Sequence, residues 1–161
     1  IVGIGRASEL AKVRMPEERK YLEALRDRLG KGILNSADEI YLHGHPTSRL
    51  PGNVIARIFG VEGESVIMEL DRRGVAASTG SACESKNLEP SNVLAAIGLN
   101  EIERHCVIKF TLSRQNTKEH VEFVLSVLPG ITKKLRDLSP VWKFRDKLDE
   151  LYKPHQHESH G

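Results

Sequence analysis

The sequence predicts an α/β domain in which a small, largely antiparallel sheet of three to four strands is covered by helices. Three observations carry that prediction. Apolar residues alternate with a period of two at 53–59 and 106–113. Apolar stripes at helical spacing occupy 16–33 and 117–138. Glycine and proline punctuate the intervals, and 161 residues leave room for one such unit plus a tail.

The elements follow in order. Residues 1–13 are rich in small side chains and read as helix; their opening reads as the inside of an element, so the chain is expected to start within a longer protein. Pro16 suits a first helical turn, followed by Glu17 and Glu18 at the favourable end and a stripe of Tyr21, Leu22, Leu25, Leu29 and Ile33. A short strand is expected at 40–43, stopped by Gly44 and Pro46, and a second at 53–59. A helix at 64–71 buries Val66, Ile67 and Leu70 and ends at Gly74, after which 75–77 reads as a short strand. Residues 78–85 have neither period. Pro90 and Ser91 open a helix that Gly98 closes. The strand at 106–113 precedes a helix capped by Asn116 or Thr117, which Pro129 and Gly130 are expected to kink or interrupt. A last helix at 142–151 precedes a polar tail, 154–161, expected to be disordered.

Composition narrows the function classes. Lys and Arg (24) nearly balance Asp and Glu (22), for a net charge of +2, which argues against a polybasic surface for nucleic acid or membrane. No apolar run approaches the ~20 residues of a membrane span. Two cysteines cannot form a disulfide framework, so a reducing, cytoplasmic compartment is expected.

The cysteines differ in setting. Cys83 sits among Ser, Thr, Gly and Ala, a stretch with little bulk to pack, so its thiol should be accessible. A nucleophile and an incidental surface thiol both remain open there. Cys106 opens an apolar strand beside Val107 and Ile108 and reads as a small buried hydrophobe. Arg114 directly follows that strand, a position suited to gripping a carboxylate bidentately, although a solvated surface arginine is the commoner case. His43 and His45 flank Gly44, and His155, His157 and His160 lie in the tail, without partners at structural-zinc spacing; no metal site is expected. Gly3 and Gly5 lack the third glycine and the strand of a dinucleotide fingerprint.

The run Ser78-Thr-Gly-Ser-Ala-Cys-Glu-Ser85 resembles the cysteine desulfurases of the NifS/IscS type. Val61-Glu-Gly-Glu-Ser-Val-Ile-Met68, Leu88-Glu-Pro-Ser91, Ala96-Ile-Gly-Leu99 and Ile108-Lys-Phe-Thr-Leu-Ser-Arg-Gln-Asn-Thr117 fall in that family's order, so the likeness covers about residues 1–142. It implies the C-terminal small domain of a pyridoxal-phosphate enzyme of the aspartate-aminotransferase fold type. The implied organisation is a helical segment, 1–34, leading from a large domain, a small α/β domain at 35–140 with the Cys83 loop, and a C-terminal helix and tail at 141–161. Cys83 matches the nucleophile that becomes a persulfide while L-cysteine yields L-alanine. Arg114 matches the arginine that holds the substrate carboxylate, with Ser113 where the family often has glycine. The cofactor lysine belongs to a Ser-x-His-Lys sequence that does not occur here, so pyridoxal phosphate would be bound mainly by residues outside this chain. The implied partners are the large-domain half or a second subunit, a homodimeric complete enzyme, and an iron–sulfur scaffold or other sulfur acceptor. A non-catalytic sulfur carrier or partner-binding domain is the alternative, and a selenocysteine lyase is a third reading.

Overall fold

The computed structural model describes residues 1–79 and 92–147. Its elements run α1 (Val2–Leu34), β1 (Ile40–His43), β2 (Asn53–Ile58), α2 (Gly63–Asp71), α3 (Asn92–Ala96), α4 (Glu101–His105), β3 (Val107–Thr111), α5 (Lys118–Leu138) and α6 (Pro140–Lys143). The three strands form one antiparallel sheet in the order β1-β2-β3, with Ile40 opposite Ile58 and Ile55 opposite Lys109.

The alternation in β2 sends Val54, Ala56 and Ile58 to one face, where each is fully buried. That face packs against Leu25, Leu29 and Ile33 of α1, Val66 and Leu70 of α2, and Val121, Val124, Leu128 and Ile131 of α5. On the opposite face Ile55 meets a smaller cluster of Leu94, Leu99 and Val107. The sheet is therefore covered on both sides, as the sequence predicts.

Four expectations need correction. Pro16 does not open a helix; it lies inside the 33-residue α1. The residues around it are exposed, so water can take the Lys12 carbonyl that the proline leaves without its helical donor. Pro129 and Gly130 do not interrupt α5, because Val124, Leu128 and Ile131 on both sides are buried on the same core and hold the helix through the missing bond. Residues 75–77 do not form a strand; the pairing is a single bridge, in which Ser78 and Lys109 exchange hydrogen bonds of 3.1 and 2.6 Å. The last helical stretch starts earlier, at Pro140 with Ser139 as its N-cap, and breaks at Phe144 after Lys143, beyond which residues 145–147 are helical again. The expected continuation to 151 and the disordered tail at 154–161 fall outside the described residues.

Capping is clearest where short polar signals precede a helix. Thr117 and His120 form a capping box on α5, and Asn100 and Glu103 form one on α4, a helix the periodicity did not reveal. Gly98 closes α3 at φ +91°, with Leu99 N–H donating to the Leu94 carbonyl as in a Schellman turn.

Polar groups fasten the helices to one another and to the sheet. Glu69 of α2 is buried and accepts from Arg72, Arg73 and Lys134 of α5 at 2.8 to 3.0 Å. Hydrogen bonds from Arg73 and Lys134 hold its pKa down at about 2. Arg136 of α5 donates to the carbonyls of Phe59 and Asp38 and stacks on Trp142, 3.7 Å from the ring centre. Trp142 in turn lies over Gly60, where a β-carbon would come within 2.7 Å of its ring and where φ is +85°. Arg57 pairs with Glu103, tying the outer face of β2 to α4.

Two stability predictions follow from these contacts. Leu128→Ala, which empties a site with no solvent exposure, is expected to cost about 3 kcal/mol, read from the urea midpoint at unchanged slope. Because the Glu69 carboxyl is depressed in the folded state, its contribution is complete above the unfolded carboxylate pKa and disappears as pH falls toward 2. Glu69→Gln should therefore lower stability at pH 7 and flatten its dependence between pH 5 and 2, as measured by thermal melts across that range.

Candidate functional site

The site is built around the end of β3. After Thr111 the chain makes a tight turn in which Asn116 Oδ1 accepts from the Ser113 N–H at 2.7 Å, and Asn116 N–H donates to the Ser113 carbonyl at 3.0 Å. Ser113 Oγ accepts from the Gln115 N–H. Ser113 is not among the described non-glycine residues with positive φ, which number only Glu39, so serine fits this position without backbone strain. Tyr21 of α1 donates to the Asn116 carbonyl at 2.7 Å and pins the turn to the long helix.

Arg114 is carried at the tip of this turn. Its side chain is half exposed, and its one ion pair among the described residues is a 3.6 Å contact from Nη1 to Glu18 of α1. At that length the pair is a loose contact rather than a formed hydrogen bond, so the guanidinium fork is available to another carboxylate. Beside the turn lies a cleft of about 430 Å³ between α5 and the stretch that follows α2, lined by Leu29, Val75, Phe110, Asn116, His120 and Phe123.

Cys83 lies outside the described residues. What the structure describes is the approach to it: Ser78 is bonded to Lys109 on the same strand that ends beside Arg114. Cys106 is buried, with its Sγ donating to the Ile102 carbonyl at 3.3 Å. Burial pushes its thiol pKa up, which disfavours the nucleophilic thiolate, in keeping with the reading of Cys106 as a small hydrophobe. It contributes to the wall of a second cleft, about 480 Å³, with Val61, Glu62, His105, Leu135 and Val141. His45 serves its own turn, with Nδ1 accepting from the N–H groups of Thr47 and Ser48.

Sequence reasoning found Arg114 but not the residues that place it. Tyr21 read only as one member of an apolar stripe, Glu18 only as a helix-start acid, and Asn116 as an alternative cap. The Ser113-x-x-Asn116 spacing was the available signal, since an asparagine side chain commonly closes such a turn.

Pyridoxal phosphate needs a lysine for its aldehyde, a carboxylate for its ring nitrogen and donors for its phosphate. No lysine lines either of these two clefts, and the cleft beside Arg114's turn has no carboxylate. These two clefts do not fit the cofactor by themselves.

Residues 1–124 match the aminotransferase class-V family. Over 143 residues the chain is 48% identical to the cysteine desulfurase IscS 1 of Archaeoglobus fulgidus, covering 89% of this chain and 37% of that protein. It is 45% identical over 145 residues to the cysteine desulfurase IscS of Clostridium botulinum strain Hall, covering 89% of this chain and 36% of that protein. Among solved structures, a NifS-like protein superposes with a TM-score of 0.72 at 25% identity, over 83% of this chain and 33% of the other. The chain thus spans just over a third of the length of the curated relatives it matches. A two-sided α/β layer, a strand ending in an exposed arginine and a match over residues 1–124 lead to one conclusion: this chain belongs to the aminotransferase class-V family.

Proposed function

We propose that this chain is the C-terminal portion of a cysteine desulfurase, in which Cys83 receives sulfur from L-cysteine as a persulfide and Arg114 holds the substrate carboxylate. The observation that carries the reading is the 48% identity to a protein named cysteine desulfurase over 89% of the chain. Two further features support it. The Arg114 guanidinium is exposed and only loosely paired. Cys83 follows Ser78 by five residues, a contour of about 17 Å, and Arg114 follows Lys109 by five, at most about the same distance. The chain is therefore long enough for the thiol to reach a substrate held at Arg114.

The sulfur step balances as follows. The Cys83 thiolate forms a sulfur–sulfur bond to the substrate, and the substrate carbon–sulfur bond breaks with its electron pair remaining on carbon. Of the two thiol hydrogens, one ends on the persulfide and the other on the methyl group of alanine. Stabilising the carbon that takes the electron pair is work for a cofactor held by polypeptide outside this chain. The same division of labour places the dimer contacts of the complete enzyme largely elsewhere. A persulfide on Cys83 is then available to an iron–sulfur scaffold or another acceptor in a cytoplasmic setting.

One observation favours a second reading, in which the chain carries sulfur without releasing it from cysteine: its two clefts near Arg114 and Cys106 have no cofactor lysine. The two readings separate experimentally. With L-cysteine and the cofactor-bearing polypeptide present, intact-protein and peptide mass spectra are expected to show the mass of one added sulfur on Cys83, absent from Cys83→Ser, with alanine released in step. A persulfide on Cys83 taken only from an added low-molecular-weight persulfide donor, whose thiol is released in exchange, with no alanine formed from L-cysteine, would establish the carrier instead, and sulfur on Cys106 would sink both. Arg114→Lys is expected to keep the charge but lose the bidentate fork, lowering kcat/KM for cysteine about 10- to 100-fold, mainly through KM. An unchanged KM would remove Arg114 from substrate binding.

A further inference from the structure

We propose that the cleft between the C-terminal half of α1 and the β1–β2 connection is an oxyanion site, formed by Arg26, Lys31 and Arg49 and suited to a phosphate or a small carboxylate. The cleft has a volume of about 410 Å³ and an apolar floor of Leu42 and Val54. Three cations line it against one carboxylate, Asp27.

The guanidinium groups are the telling feature. Arg26 is 7% exposed, and Asp27 Oδ1 takes its Nε and Nη2 at 2.9 and 2.8 Å. Its Nη1 is buried without a hydrogen-bond partner. Arg49 donates from Nη2 to the His43 carbonyl at 3.0 Å, while its Nε is likewise buried and unpartnered. Buried cationic N–H groups without acceptors call for a partner; Arg57 and Arg104 each have one elsewhere, but here two arginines that carry them line one cleft. The two charges also oppose each other: burial first, and then Arg26, lower the pKa of Arg49. An oxyanion would satisfy both forks and relieve their repulsion, and the flexible Lys31 at the rim would add a third contact.

The site is independent of the reading of Cys83 and is tested on the chain itself by thermal melts. Inorganic phosphate at 20 mM is expected to raise the melting temperature by about 4 °C over chloride of matched ionic strength. Succinate serves as the carboxylate probe, and the larger of the two shifts assigns the ligand chemistry. Arg49→Gln and Lys31→Gln should each at least halve the shift, whereas Arg28→Gln, whose partner is Glu122 of α5, should keep it. Lys31 is exposed, so that variant decides the matter even if Arg49→Gln does not fold. An equal effect of chloride, no response to either probe, or a shift preserved in Lys31→Gln would overturn the proposal.

Discussion

The pairing of β3 with its two neighbours sets the position of everything that bears on chemistry. Ile108 and Phe110 are buried on the face that meets the helices, so Lys109 between them is held to the pleat's other direction. A one-residue slip would exchange those faces and drive the lysine into the core. With the register held, Lys109 is free to bond Ser78, which fixes the chain where it enters the Cys83 segment. The same strand delivers Arg114 a few residues later. Apolar burial on one face thus positions two polar features that have no apolar reason to be near each other.

Most of the fold was legible because its signals are local and periodic. The alternation at 53–59 became β2, the runs at 64–71 and 118–138 became α2 and α5, and Gly98 ended a helix as its conformational freedom suggested. Two of the misreadings share one cause, the weight given to proline. Pro16 and Pro129 read as boundaries, yet each removes one backbone bond and crowds one carbonyl, a local loss. Buried neighbours outweigh that loss at Pro129, and exposure to water softens it at Pro16. At the site, the sequence revealed Arg114 through its place after a strand. It did not reveal Tyr21, which lies 95 positions from its hydrogen-bond partner Asn116 and meets it only once α1 packs beside the turn.

Buried polar groups here act as fasteners between elements rather than as independent reactive sites. Glu69 joins α2 to α5, Arg57 joins β2 to α4, and Arg136 joins α5 to the backbone on either side of β1 and β2. In each case the partners are specific, which is what makes burial of a charge tolerable, although the Arg57 Nε is left without an acceptor. Arg26 and Arg49 differ in that two such arginines share one cleft.

The two cysteines illustrate how environment divides one chemistry into reactive and inert forms. Nucleophilic sulfur must be a thiolate, and a thiolate needs solvation or positive charge to exist near neutral pH. Cys106 has neither in sufficient measure: it is enclosed at the α4–β3 junction, its Sγ–H is committed to a carbonyl, and burial raises its pKa. Charge alone does not rescue it, since Arg57 nearby acts in the lowering direction and burial still prevails. A thiol that accepts sulfur at one place and releases it at another also has to travel, which a residue locked between a helix and a strand cannot do. Both requirements exclude Cys106 on physical grounds from carrying sulfur between two places.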